Sequence, residues 1–373
     1  MDPETVAEVR GPLSGLLFVA GEASGDRLAA EILLAHDGPA FGLGGDASRA
    51  AGGEVRIDLG PLTGAGLVDA ARRLPRIVAA YRELRRLVRE RRPKTALLVD
   101  YVEANALFGR WLRARGVRVV WCVAPQIWAW RPGRIARLAR SMDRLAALFP
   151  FEVAAWRAAG VDAHWVGHPA LETRWASRAA ARAEVAIPDH GPALALLPGS
   201  RPREIARNLP GMLAAADRLA LPTRVLVAGS LDLEARAHVA RLAGAARVVP
   251  IAPAAGLAPV LRAFDVAVAA AGTATLECAL AGVPPVVVAR VDRLAAAAFG
   301  RLIRTPHLAL PNVLLGERAY PELWQDEATP SAIVTAVRAL LAAARRDGES
   351  LRRVIDPSDG RRFGRRVADL LTP

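Results

Sequence analysis

Leu16-Leu17-Phe18-Val19-Ala20 runs directly into Gly21-Glu22-Ala23-Ser24-Gly25-Asp26, after which a helical pattern opens near Arg27. Five apolar residues without polar alternation suit a strand covered on both faces, as in a parallel sheet. In the turn that follows, small residues let the backbone approach a ligand. Glu22 stands at the carboxyl end of the strand and Asp26 near the helix start. The run lacks the G-x-G-x-x-G spacing, so it does not support a dinucleotide fingerprint. A plain strand-to-helix turn capped by Ser24 or Asp26 is the competing reading.

The same alternation extends outward over the whole chain. Further strands are expected at Ala96–Asp100, Arg118–Val123, Leu145–Phe149 and His164–Val166, and again at Ala193–Leu197, Arg224–Ala228, Arg247–Val249, Asp265–Ala269 and Pro285–Ala289. Ala/Arg-rich amphipathic stretches separate them, the pattern of crossover helices. A length of 373 residues suits two domains. The break is expected between His168 and Pro192, because one set of strands ends at Val166 and the next begins at Ala193. The expected fold is α/β, two doubly wound Rossmann-like domains facing across a cleft, with ligands at the carboxyl ends of strands from both.

Four strand exits besides the first could carry chemistry. Asp100, followed by Tyr101-Val102-Glu103, could serve as a general base if it reaches a hydroxyl, or could cap the next helix. Trp128 and Trp130, in Ala124–Arg131, could stack on a sugar, line an acyl groove, or plug the sheet end. Gly199-Ser200-Arg201 stops a strand and Glu204 opens a helix, so backbone N–H groups and a guanidinium could cradle a diphosphate. Gly272-Thr273 leads to Glu277, a lone acid in an apolar stretch that needs a partner if buried; a ribose diol or a capping group would serve.

Composition narrows the function. The N-terminal residues Met1 to Glu8 are acidic and unlike a secretory signal. Val266–Ala289 is broken by Gly272, Gly282, Pro284 and Pro285, and reads as strand, turn, helix, turn, strand rather than a membrane span. Cys122 and Cys278 lie far apart in apolar runs, which points to buried thiols in the reducing cytoplasm, with no disulfide or zinc framework. The six histidines lack metal-ligand spacing. Fifty Lys plus Arg against 37 Asp plus Glu give a net charge of +13, suited to nucleic acid, anionic lipid or a phosphorylated substrate, or to a GC-rich coding background. Leu67–Val88 sets Leu67 and Leu74 among apolar residues at helical spacing, with Arg72, Arg73 and Arg76 largely elsewhere and Pro75 kinking or restarting the helix. It reads as a crossover helix with a solvated face or as a membrane-surface helix.

Taken together and in this order, VAGEASGD (Val19–Asp26), APQIWAWR (Ala124–Arg131), FPFE (Phe149–Glu152), VGHP (Val166–Pro169), LLPGSR with Glu204, GTATLEC (Gly272–Cys278), LPN (Leu310–Asn312) and PELWQ (Pro321–Gln325) resemble the lipid A disaccharide synthase family. The likeness spans nearly the whole chain. It implies a GT-B inverting glycosyltransferase with an acceptor-binding domain at 1–168, a UDP-sugar-binding domain at 169–350, and a C-terminal helix at 351–373 that crosses back. It further implies condensation of UDP-2,3-diacylglucosamine with 2,3-diacylglucosamine 1-phosphate to a β-1,6-linked disaccharide phosphate and UDP, without cofactor or metal.

On this reading Asp100 or Glu22 is the base, Ser200 and Arg201 hold the diphosphate, and Gly199 and Glu204 belong to the same donor site. Gly272, Thr273, Glu277, Asn312 and Gln325 surround the nucleoside. Ser24, Trp128, Trp130, Leu67, Leu74, Arg72, Arg73 and Arg76 face the acceptor or lipid. An anionic membrane surface, not nucleic acid, is the implied partner, with the chain cytoplasmic and peripheral to the inner membrane; a homo-oligomer is compatible. The family usually carries a second Asp and a Pro just after the counterpart of Asp100, where this chain has Tyr101-Val102-Glu103. Rival readings are another GT-B UDP-sugar enzyme and a noncatalytic nucleotide or lipid binder.

Overall fold

The computed structural model describes residues 15–60, 67–128, 132–229, 231, 233–252, 255–291, 305–343 and 348–372. Strands β1 (Leu16–Ala20), β2 (Ala40–Gly44), β3 (Glu54–Asp58), β4 (Thr95–Val99), β5 (Arg118–Cys122), β6 (Arg144–Ala147) and β7 (Asp162–Trp165) form one sheet in the order β3-β2-β1-β4-β5-β6-β7. A second sheet contains β8 (Leu194–Leu197), β9 (Thr223–Ala228), β10 (Val248–Ile251), β11 (Val266–Ala270), β12 (Pro285–Ala289) and β13 (Glu322–Trp324), ordered β10-β9-β8-β11-β12-β13. Their pairings are parallel. Both sheets are doubly wound, and the strand order reverses between β1 and β4 and between β8 and β11. Those two reversals are where such sheets open a crevice beyond their carboxyl ends.

Three strands escape the periodicity of the sequence. A Cβ at Gly42 of β2 would lie 1.8 Å from the carbonyl oxygen of Phe18, so contact with β1 demands glycine and erases the apolar signal. β3 lies at the sheet edge and alternates exposed with half-buried residues. β13 has only three residues. Val266–Ala289 resolves into β11, the helix Thr273–Leu280 and β12, as its Gly and Pro residues imply.

Apolar side chains cover both faces of each sheet. One face of the first packs on the helices Leu67–Arg91 and Val102–Arg113. Its other face packs on Ala23–Leu34 and Phe363–Leu371, in a cluster that also takes in Leu276, Leu280, Leu314 and Leu351 from the second half. The helix Glu349–Ile355 packs on Leu310–Leu315 and Thr273–Leu280, whereas Phe363–Leu371 lies on Ala23–Leu34. A Cβ at Gly364 would meet the Glu31 carbonyl at 2.2 Å, so this crossing needs glycine. Carbonyls of Leu370 and Thr372 accept from Arg144 and Arg118 at the opposite end of the first sheet.

Cys122 and Cys278 are free and buried. No described helix is long and apolar enough to cross a membrane.

Candidate active site

Ala20 of β1 pairs with Val99 of β4, so the residues that follow, Glu22 and Asp100, leave neighbouring strands at the first reversal. Ala269 of β11 pairs with Leu197 of β8, which sets Gly272-Thr273 beside Gly199-Ser200-Arg201 at the second. The two reversals face each other closely enough for the Arg201 charge to act on both carboxylates. Burial pushes the Asp100 carboxyl above its ordinary range, opposed by the Tyr101 N–H and by Arg201. Burial likewise raises Glu22, the Asp100 charge adds to the rise, and Arg201 works against it. A carboxyl raised by burial, with a second carboxyl beside it whose ionisation it disfavours, opposite one guanidinium, matches the needs of a proton acceptor beside an anion binder.

The backbone that presents Asp100 is strained. Asp100 has φ +49° and Tyr101 φ +48°, and at the neighbouring exit of β5 the β-branched Val123 has φ +73°. Such conformations persist where surrounding structure enforces them. Asn105, fully buried, donates to the carbonyl of Asp100 at 2.9 Å and of Val99 at 3.4 Å, and accepts from the Tyr81 hydroxyl at 2.8 Å. The Tyr101 ring packs on Gly21, where a Cβ would stand 2.4 Å from it. Asp100 caps no helix: Tyr101 is the N-cap of Val102–Arg113, and no side chain caps it.

The first turn differs from its sequence reading. Its helix begins at Ala23, four residues before Arg27, with Glu22 as an N-cap lacking a side-chain bond. Asp26 is buried and accepts from the N–H groups of Gly45 (2.7 Å), Ala47 and Ser48 and from the Ser48 hydroxyl, thereby capping the helix Asp46–Ala50. Ser24 is exposed on the first turn.

At the second reversal Gly199 has φ +118°, and a Cβ there would fall 2.2 Å from the Glu204 carboxylate. That carboxylate folds back to accept the Ser200 N–H at 3.2 Å and an Arg201 N–H as well. The Ser200 N–H, expected to be open, is therefore already engaged, and Glu204 organises the turn from inside. An internal carboxylate seated on these N–H groups shows that the turn accepts an anion. Arg201, the N-cap of Pro202–Leu219, is exposed.

Gly272 and Thr273 are exposed at the start of Thr273–Leu280, and Thr275 bonds back to the Gly272 carbonyl at 2.7 Å. Burial raises the Glu277 carboxyl, and the Arg27 guanidinium from the first half counters it. Arg27, which sequence reasoning did not single out, also reaches Gly256, where a Cβ would lie 2.8 Å from its guanidinium.

Two residues expected at the nucleoside have partners within the protein. Asn312 is completely buried; its amide donates to the Tyr320 carbonyl and to Glu322, both at 2.9 Å, and accepts the Tyr320 N–H. These bonds tie its side chain to its own loop. The Gln325 amide pairs at both ends with the backbone of Val291, at 3.1 and 3.2 Å. It extends the β12–β13 edge like a backbone group.

On the first-sheet side, Trp128 is half-buried and donates through Nε1 to Glu152 at 3.1 Å. It meets Phe151 edge-on, Phe151 stacks on Phe149, and Phe149 stacks on His168. Trp130 and the side chains of Leu67, Arg72 and Arg73 lie outside the described residues. Leu74 and Arg76 are exposed on a single helix, Leu67–Arg91, which contains Pro75. Glu103 pairs with Arg134 and Arg137. Among the described residues no cluster of His, Cys, Asp and Glu could hold a metal. A cavity lined by Arg178, Asp265 and Pro284 lies at the amino-terminal edge of the second sheet, away from these strand exits.

Residues 16–356 match the lipid-A-disaccharide synthetase family. The chain belongs to that family. The lipid-A-disaccharide synthase of Acidobacterium capsulatum is 38% identical over 354 residues, covering 88% of this chain and 87% of its own. That of Myxococcus xanthus is 38% identical over 335 residues, with 87% of each covered. Among solved structures, the UDP-GlcNAc 2-epimerase of Neisseria meningitidis bound to UDP-GlcNAc superposes with a TM-score of 0.61 at 10% identity, over 91% of this chain and 98% of that one. MurG of Acinetobacter baumannii gives 0.53 at 17% identity, over 95% and 98%. These likenesses show the fold: the synthetase-family chain is a GT-B protein built of two parallel-sheet α/β domains.

Proposed function

We propose that the chain condenses UDP-2,3-diacylglucosamine with 2,3-diacylglucosamine 1-phosphate, forming the β-1,6-linked disaccharide 1-phosphate and UDP. The observation that carries the reading is the meeting of Arg201 from the second half with Asp100 and Glu22 from the first. The acceptor's 6-hydroxyl oxygen attacks the anomeric carbon as the bond from that carbon to the diphosphate breaks, and Asp100 takes the hydroxyl proton. Attack opposite the leaving group inverts the α-linked donor to a β-linked product. Arg201 and the start of Pro202–Leu219 stabilise the negative charge that gathers on the departing UDP. Glu204 yields the turn to the diphosphate as the donor enters. Glu22 stands beside Asp100 at the same reversal, and Thr273 and Glu277 lie on the donor side.

In this assignment residues 1–168 take the acceptor, 169–350 take the UDP-sugar, and 351–373 return the chain to the first half. The exposed Leu74, Arg76 and Val78 suit a peripheral contact with an anionic membrane, where both acylated substrates reside.

The test is UDP release and disaccharide formation with the donor alone and with both sugars. Disaccharide requires both. UDP release that ignores the acceptor contradicts the reading, and binding of either sugar without turnover favours the noncatalytic alternative. Arg201→Ala should fold normally and lose 10²–10³ in kcat, about 3–4 kcal/mol, as for other charge-stabilising donors. Unchanged turnover would remove Arg201 from the mechanism.

A further inference from the structure

Beyond the reversal that holds Asp100 lies an open pocket of about 550 Å³ lined by Glu103, Gly133, Arg134 and Arg137. Glu103 sits in the first turn of Val102–Arg113, three residues past Asp100. Arg134 and Arg137 come from the turn Pro132–Arg134 and the helix Ile135–Ala139, three residues apart and hence on one face. Arg134 binds one Glu103 oxygen and Arg137 approaches the other at 3.5 Å. The Glu103 side chain is 70% exposed while that of Arg134 is 17% exposed, so the arginine is held by the protein and the carboxylate is the loose member.

We propose that Arg134 and Arg137 form the subsite for the acceptor's 1-phosphate, with Glu103 as a displaceable internal counter-ion. A phosphate dianion offers more acceptor oxygens and more charge than Glu103, and guanidinium geometry favours it. An exposed ion pair contributes little to folding, so displacing Glu103 costs little. The placement also suits the substrate. The C6 hydroxyl and the C1 phosphate flank the same ring oxygen of the acceptor. In this placement the acceptor's 6-hydroxyl lies at Asp100 and its 1-phosphate in the pocket beside Glu103, three residues on. The subsite would select an anionic acceptor over its dephosphorylated analogue and fix which way round the sugar enters.

This inference rests on the transferase reading, and the test separates the two. KM and kcat are measured with 2,3-diacylglucosamine 1-phosphate and with 2,3-diacylglucosamine, for the wild-type chain, Arg137→Gln and Glu103→Gln. Arg137→Gln should raise the KM for the phosphorylated acceptor about 10-fold and shrink the preference for it over the dephosphorylated one by the same factor, the size of a lost charge-assisted contact. Glu103→Gln should lower that KM about threefold or more, because the competing carboxylate is gone. A salt bridge serving only the fold predicts the opposite for Glu103→Gln, since both substitutions would then harm alike. An unchanged phosphate preference in Arg137→Gln overturns the subsite, and so does an equal rise in the KM for the UDP-sugar, which would place the pair on the diphosphate. If the wild-type chain makes no disaccharide from either acceptor, the transferase reading fails and the subsite falls with it.

Discussion

Asp100 occupies left-handed backbone, as does Tyr101, at a cost of about 1–3 kcal/mol each. Asn105 and the fit of Tyr101 over Gly21 hold them there. The carboxyl so presented has a raised pKa, chiefly from burial, and Glu22 beside it is raised as well. A carboxyl raised in the folded state stabilises the fold below the unfolded pKa, and that contribution is lost as pH rises through the folded value. Asp100→Asn should therefore be more stable than wild type at pH 7, by about 0.5–2 kcal/mol, with the difference vanishing near pH 3. Its kcat should fall about 10²–10⁴-fold, the usual loss with a general base. In wild type, kcat/KM should decline on the acid side through a pKa above that of an ordinary Asp. Thermal melts at the two pH values, set beside pH–rate profiles, check this; full activity in the variant would shift the role to Glu22. That Asp100 and Arg201 stand at strand exits was legible in the sequence, because each closely follows an apolar run. The loop bonds of Asn312 and Gln325 were not, because residue type does not reveal direction: amides can serve a loop or a ligand equally well.

At the scale of elements, the exits of β5 and β6 are joined by Glu152, which accepts from the Trp128 ring and from the Phe149 N–H. Burial pushes its carboxyl up to about 8, with those donors opposing the rise. Between the ordinary Glu value and pH 8 the unfolded chain carries this charge and the folded chain does not. Stability should then fall by about 1.4 kcal/mol per pH unit from this group alone. Glu152→Gln removes that slope, so the variant should match wild type near pH 4.5, gain on it up to about pH 8, and keep a constant margin above. Denaturant melts at pH 5 and pH 8.5 measure the margin, and a margin that does not widen would mean the carboxyl stays ionised inside. FPFE and Trp128 were each visible in motifs, but their pairing was not, since 24 residues separate Trp128 from Glu152 in the chain. The same limit explains β2, whose Gly42 is dictated by Phe18 on the neighbouring strand rather than by its own surroundings.

Over the whole molecule, the apolar runs made the two sheets legible, because strands covered on both faces need little else. Where the surface is used is harder to read, and the helix Leu67–Arg91 illustrates why. From Ala80 onward it turns Leu84, Leu87 and Val88 into the core, as a crossover helix should. Before that point Leu74 is 58% and Val78 38% exposed, with Arg76 exposed among them. The helical spacing is the same in both parts, so the sequence could not separate a core-facing helix from a surface one; the structure divides it into both. Leaving Leu74 and Val78 in water gains nothing for the fold, whereas burying such side chains in a lipid interface is favourable by about 1.5–3 kcal/mol for each one fully covered. A basic residue near anionic lipid adds about 1 kcal/mol. The full chain carrying Leu74→Gln and Val78→Gln should melt as wild type does and bind vesicles of phosphatidylglycerol and phosphatidylcholine at least 10-fold more weakly, by about 1.4 kcal/mol or more. Arg76→Ala should lose about fivefold on these vesicles and nothing on pure phosphatidylcholine. Raised salt should erase the Arg76 effect and spare the Leu74 one, since screening acts on charges and not on apolar contact. Equal sedimentation of all three proteins with the anionic vesicles would leave the exposed end of this helix without a membrane role.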